Sequence, residues 1–242
     1  MSALAVFLVA VGLADISRKV TAYHWLPTAM GPAAVIAAAV LAGLWHPGDI
    51  ALLITAGVCS ALWIHLGTRA EEFGRHQVSA LISFGAGFAV LAGLAGWASP
   101  VGGPVARWLE WVGLAHVVAP GRALMIAGVV LVQLVTANQL VRLILGAVGA
   151  IRPAGEPQPS DRLKGGRLLG PMERLLIVGL GLGGQFAAAS AVVAAKGIIR
   201  FPELSAQRKD SEGASIDALT EYFLVGSFAS WLLAMGGLAL AV

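Results

Sequence analysis

Asn138 and Arg142 lie one helical turn apart, Glu173 sits beside Arg174, and Lys196, Arg200 and Glu221 follow in or next to long apolar runs. Ionisable groups in such runs are rare, and usually face the interior of a helix bundle. With Arg167 these residues form the candidate binding set: Asn138, Arg142, Arg167, Glu173, Arg174, Lys196, Arg200 and Glu221. At about 100° per residue, Thr136, Asn138, Gln139 and Arg142 share one broad arc, with Gln133 close by. Such an arc faces protein or water. It can glue helices together by hydrogen bonds, or line a path for a solute or ion. Both readings stay open.

The other members of the set carry similar pairs of readings. Pro171 suits a first helical turn, so Glu173 can complement the positive start of a helix. Arg167 and Arg174 then anchor that helix at the interface. Lys196 and Arg200 can snorkel to headgroups or hold an anion. Asp217 and Glu221 share a face. A short hairpin loop would bring Glu221 beside Lys196 or Arg200, where a salt bridge would offset its burial.

No catalytic constellation accompanies these groups. His24, His46, His65, His76 and His116 are scattered, without the close helical spacing of metal ligands. The single Cys59 lies in an apolar run, which excludes a disulfide framework and a cysteine metal site. There is no G-x-S-x-G, Walker loop or Ser/His/Asp set. Gly179-Leu-Gly-Leu-Gly-Gly184 is not a dinucleotide fingerprint, because no strand precedes it. Gly179, Gly183 and Ala187 are expected instead to form a small-residue ridge for another helix. No metal or cofactor is expected, and a role other than catalysis is favoured.

The elements that position these residues follow from composition. The chain has 242 residues, 58% hydrophobic and 12% charged, with a mean hydropathy of +0.83. Soluble domains are about half apolar and about a quarter charged. So few charges cannot cover a water-exposed surface of this size, whereas lipid removes the need. The 31 glycines suit close helix packing in a bilayer. The net charge of +3 is no sign of nucleic-acid binding, since no Lys/Arg stripe is interleaved with aromatics.

The expected fold is an all-α polytopic transmembrane bundle of about seven spans plus one interfacial amphipathic helix. Residues 1–150 hold about five spans. A helix from Ser2 continues through Asp15 to about Trp25, with Asp15 able to pair with Arg18 and Lys19. Spans at 27–45, 50–66, 78–98 and 123–148 follow. His46 to Asp49 reads as a tight turn and Thr68 to Arg75 as a short charged loop. Residues 106–118, with Trp108 and Trp111, read as a helix lying at the interface. Residues 151–170 read as a polar, Pro/Gly-rich cytoplasmic linker, expected to be mobile. Residues 171–242 read as a transmembrane hairpin, with spans at 172–199 and 218–242. The basic loops place the N-terminus outside and the 152–174 region in the cytoplasm, with Glu173 and Arg174 at the cytoplasmic end of the sixth span.

Four blocks carry a resemblance: Thr136-Ala-Asn138-Gln-Leu-Val-Arg142, Gly166-Arg167-Leu-Leu-Gly170-Pro-Met-Glu173-Arg174, Ala195-Lys196-Gly-Ile-Ile-Arg200-Phe201 and Glu221-Tyr222-Phe223-Leu-Val-Gly226-Ser227. Over roughly the C-terminal half, the chain resembles a family of bacterial multi-span membrane proteins classed as a domain of unknown function. The resemblance implies a bacterial cytoplasmic-membrane protein and supplies no activity. Two functions are compatible with these features. One is permeation or transport of a small anionic or lipid-linked solute. The other is a non-catalytic subunit or scaffold that binds another membrane protein or a second copy of the chain. A membrane enzyme acting on lipid phosphate is the weaker third reading.

Overall fold

The structure, a computed structural model, describes the chain except residues 22, 24, 75, 151–165, 196 and 199–213; for 73, 166, 167 and 214–219 it describes the backbone alone. All regular structure among the described residues is helical. The helices are α1 Ser2–Val20, α2 Leu26–Ala42, α3 Pro47–Phe73, α4 Gln77–Gly93, α5 Gly103–Trp111, α6 Pro120–Leu131, α7 Ala137–Ala147, α8 Gly166–Leu182, α9 Phe186–Ala195 and α10 Ala214–Ala241. Three stretches are long and apolar enough to cross a membrane: Pro47–Glu72, Pro120–Ala147 and Thr220–Ala241. The second contains α6, α7 and the π turn Val132–Thr136 that joins them.

Helix α1 is the axis of the bundle. From Ala3 to Val11 its apolar side chains are almost wholly enclosed, with α2, α3, α4 and α6 packed around it. Glycines make the closest approach possible. A Cβ on Gly12 would stand 2.6 Å from Leu131 Cβ, and one on Gly128 3.0 Å from both Leu8 Cβ and the Ala5 carbonyl. Neither position can accept a side chain without moving a helix apart.

The contacts also fix direction. Asp15 meets Trp63 and Arg18 meets Glu71, so α3 runs parallel to α1. Asp15 meets Thr136 and Arg18 meets Gln139, so α6–α7 does too. Helix α4 runs the other way, with Gly87 against Cys59 and Gln77 against Gly146. Helix α8 also opposes α6–α7, since Gly170 lies beside Asn138 and Arg174 meets Gln133. Helix α10 opposes it likewise, from Gly226 beside Leu145 to Ala241 at Arg122.

Helices α8 and α10 are therefore parallel, which corrects the expected hairpin at 171–242. Arg174 meets Ser230, Glu173 meets Trp231, and Gly181 packs on Leu238. The chain between Leu182 and Ala214 has to return from one face to the other. Ser2 and Ala241 consequently lie at the same end of the bundle.

A second correction explains the return. The expected span 172–199 is broken. Gly184 N–H bonds the Gly181 carbonyl, Gln185 N–H bonds the Leu180 carbonyl, and Gly184 has φ +72°. This is a Schellman stop with glycine in the left-handed position. Among the described residues nothing lies within 4 Å of a Cβ placed on Gly179, so no described helix packs on the ridge expected at Gly179, Gly183 and Ala187. The small residues that do pack are Gly181, against Leu238, and Gly237, against Gln133.

Two further boundaries differ. His46 caps α3 rather than turning: its N–H donates to Asp49 Oδ2 at 3.1 Å, with Pro47 in the first turn. Asp49 Oδ1 also accepts the Ser99 N–H at 2.7 Å, tying two loops together. At its other end α3 continues through 68–73, expected to be loop. Its 27 residues give it a length of about 40 Å.

The aromatic residues mark two levels. Trp45, Trp97, Trp108 and Trp111 are exposed on the face that holds Ser2 and Ala241. Tyr23 and Trp25 are exposed on the opposite face. Exposed indole and phenol rings at both ends of a helical bundle match the two interfaces of a bilayer. Helix α5 keeps Leu109 inward and its two tryptophans outward, as an amphipathic interfacial helix requires. The expected mobile linker 152–165 lies outside the described residues.

Candidate functional site

The polar residues of 133–142 divide between two sides of one helix, and the π turn is part of the reason. The Ala137 N–H bonds the Val132 carbonyl, five residues back. The carbonyl of Gln133, which a regular helix would pair with Ala137, is released from that bond. Arg174 takes it. Its Nε and Nη2 donate to Gln133 O at 3.3 and 3.0 Å, Nη2 donates to Asn138 Oδ1 at 2.6 Å, and Nη1 donates to Ser230 Oγ at 3.0 Å. A guanidinium only 1% exposed thus divides its donors among three neutral oxygens. The fixed fork of arginine suits such a task, and a lysine ammonium does not reproduce it. Gly170, one turn earlier, leaves the room: a Cβ there would stand 3.4 Å from Arg174 Nη1. Beside this cluster, Trp231 Nε1 donates to Glu173 Oε1 at 2.9 Å, and Gln133 Nε2 donates to the Leu233 carbonyl at 2.7 Å. Gln133 lies midway along Pro120–Ala147, so Arg174 meets that stretch at its middle rather than at an end.

The second cluster lies between α1, α3 and the other side of α6–α7. Asp15 is completely buried. Its Oδ2 accepts hydrogen bonds from Trp63 Nε1 at 3.1 Å and Thr136 Oγ1 at 2.7 Å. Its Oδ1 pairs with Arg18 Nη2 at 3.3 Å. Arg18 also donates through Nη2 to Gln139 Oε1, and its Nη1 is 3.3 Å from Glu71 Oε2. Arg142 Nη1 is 3.7 Å from Glu71 Oε1. Charges therefore alternate outward, Asp15, Arg18, Glu71, Arg142, from a sealed interior to an arginine that is 63% exposed. The inner end is lined with aromatic rings: the Trp63 and Phe84 centroids lie 5.1 Å apart and those of Phe84 and Phe7 5.7 Å apart, each pair tilted. Electrostatic interactions are stronger there than at a wet surface.

The residues singled out from sequence thus separate. Asn138 and Arg174 meet, with Glu173 adjacent. Arg142 belongs to the other cluster. Glu221 is exposed on α10. The side chains of Arg167, Lys196 and Arg200 lie outside the described residues, and with them the expected partners of Glu221. The capping role of Glu173 is overturned, because α8 begins at Gly166 and carries Pro171 inside it. Glu173 is buried and bonded to an indole instead. The expected pairing of Asp15 with Arg18 is present.

Sequence reasoning missed Trp63, Glu71 and Trp231. The two tryptophans had a signal, since they fall inside apolar runs while the other five fall near run ends. Each interior indole donates to a buried carboxylate that stands next to an arginine, Asp15 with Arg18 and Glu173 with Arg174. Among the described residues no group of three or more His, Cys, Asp and Glu could hold a metal. Comparison with models of known families, with curated proteins and with solved structures gives no match.

Proposed function

We propose that this chain is a multi-pass protein of a bacterial cytoplasmic membrane that takes a small anionic or lipid-linked solute at its basic face, the first step of permeation or transport. The reading rests on the charged series Arg142, Glu71, Arg18, Asp15, which leads from an exposed guanidinium into the bundle. Arg174 continues the polar interior to mid-depth. Intramembrane charges of this kind mark solute and ion pathways. On the far side the apolar stretch of α1 closes the route, so the described state is open to one face at most.

The membrane arrangement belongs to the same proposal. Helices α1, α2, α3, α4, α6–α7, α8 and α10 each traverse. The basic face is cytoplasmic. Arg18, Lys19, Arg69 and Arg142 stand there. Arg107 and Arg122 belong to the other face.

Binding to purified protein in neutral detergent tests the reading. Inorganic phosphate, a short dicarboxylate and vesicles containing an anionic lipid are the probes. Saturable binding of any of them, weakened by salt and by Arg142→Gln, is the expected result. A protein that binds none of the three sinks the reading.

The subunit or scaffold role is favoured by one observation. The interior charges balance within the fold, as Asp15 with Arg18, Glu71 with Arg142, and Glu173 with Arg174. Purification in mild detergent decides it: a stable partner or second copy supports it, and a lone monomer counts against it.

A further inference from the structure

Two buried nitrogens in the α1–α3–α7 cluster make no hydrogen bond. Gln139 is 6% exposed, and its Nε2 has no hydrogen-bond partner among the described residues. Its orientation is not ambiguous, because its Oε1 accepts from Arg18 and a flipped amide would set donor against donor. Arg18 Nη1 faces Glu71 as an ion pair but makes no hydrogen bond. Both nitrogens lie on the same side of Gly67. A Cβ on that glycine would stand 3.0 Å from Gln139 Nε2 and 3.6 Å from Arg18 Nη1. Glu71 lies one turn further along the same face of α3, and exposed Arg142 stands beyond it.

Buried polar groups are normally paired, and Gln139 Nε2, without a partner beside an Arg18 Nη1 that holds Glu71 only as an ion pair, calls for an oxygen. Arg18, already paired with Asp15, and exposed Arg142 both reach Glu71, so the outer carboxylate of the series stands between two guanidiniums. We propose that Gly67, Arg18, Gln139 and Arg142 form a seat for a phosphate-type oxyanion, free or carried on a lipid headgroup, with Glu71 as the resident anion that it displaces. Arg18 and Gln139 give the inner donors, and Gly67, lacking a Cβ, lets both come close to α3. Arg142 gives a second guanidinium at the mouth, in the bidentate chemistry that arginine brings to phosphate. Glu71 is 36% exposed, so its carboxylate can swing outward when the ligand enters. The inference deepens the function proposed above and rests on it.

The test uses the full chain in neutral detergent, with inorganic phosphate as one probe. Vesicles of phosphatidylcholine, with and without phosphatidylglycerol, form the other. Wild type is expected to bind, and Gly67→Ala and Gln139→Leu to bind at least about tenfold more weakly, the loss of one charge-assisted or buried hydrogen bond. Glu71→Gln should bind more tightly than wild type, because the competing carboxylate is gone. A merely structural ion pair would not give that sign. Binding of free phosphate supports a soluble ligand, and binding of the phosphatidylglycerol vesicles alone supports a lipid headgroup. If Gly67→Ala does not fold, Glu71→Gln decides: unchanged or weaker binding overturns the seat. Wild-type binding that Gly67→Ala and Glu71→Gln both leave unaltered overturns the seat and spares the function. Wild type that binds neither probe overturns both.

Discussion

Arg174→Met is the sharpest perturbation of the interior. The substitution keeps an unbranched apolar stem and removes four hydrogen bonds to three oxygens. Gln133 O, Asn138 Oδ1 and Ser230 Oγ then lose a charged donor at mid-depth, where water is scarce. Each lost bond to a charged group corresponds to about 1.5–3 kcal/mol, but removing the arginine also removes its own desolvation penalty. The released Gln133 carbonyl tips the balance, because the π turn leaves it no regular partner. Breaking a buried charged network from one side costs roughly 3–5 kcal/mol. For a chain of this size that is a fall of roughly 6–20 °C in melting temperature. Tryptophan fluorescence in detergent reads it, with Trp231 close to the change. Arg174→Lys should lie between, since an ammonium cannot reach all three oxygens. Asn138→Leu should cost about 1–2 kcal/mol, as a single acceptor is lost. If Arg174→Met melts like the wild type, Arg174 does not hold α6–α7 to α10 and the packing of these helices is wrong.

Other expectations follow from the same geometry. Trp63→Phe keeps the ring contact with Phe84 but removes one of two donors to buried Asp15, and should destabilise by about 1–3 kcal/mol in a thermal melt. Gly12→Leu should fail to give folded protein, because even a Cβ there meets Leu131 at 2.6 Å; normal yield and melting would contradict the packing of α1 on α6. Glu221→Gln should melt within about 0.5 kcal/mol of wild type, since Glu221 is exposed; a clear loss would mean that its partner lies among residues 196–213. Cysteines placed at Ser99 and Val242 should react with a membrane-impermeant reagent from the same side of intact cells, and one at Gly155 should not.

The fold class was legible because so few charges can solvate a chain of this length only if lipid covers most of its surface. The amphipathic α5 was legible because its tryptophans and charges alternate at helical spacing, and the pairing of Asp15 with Arg18 because the two stand three residues apart. Other features carried no usable local signal. Hydropathy has no direction, so α8 and α10 read as an antiparallel pair. A Gly-Gly pair serves equally as a packing ridge or as a helix stop, and the choice depends on whether a neighbour stands opposite Gly179. The helical wheel placed Asn138 and Arg142 on one arc, four residues apart in one regular helix; what separates them is the partner each reaches, Arg174 or Glu71, and a wheel carries no partners. The second cluster was hidden by distance along the chain: Thr136 and Asp15 are 121 residues apart, and nothing near either names the other.

That separation bears on how the protein is made. Helix α1 emerges from the ribosome well before α3 and α6–α7, yet its polar end matches groups that only they carry. Until Trp63 and Thr136 arrive, Asp15 has Arg18 alone, and a carboxylate with one partner is a poor cargo for lipid. Helix α1 therefore waits at the insertion machinery or at the membrane surface while the later helices are threaded. Its enclosure is a late event in assembly. Truncated nascent chains ending before Thr136 should leave α1 accessible, and longer ones should lock it in place.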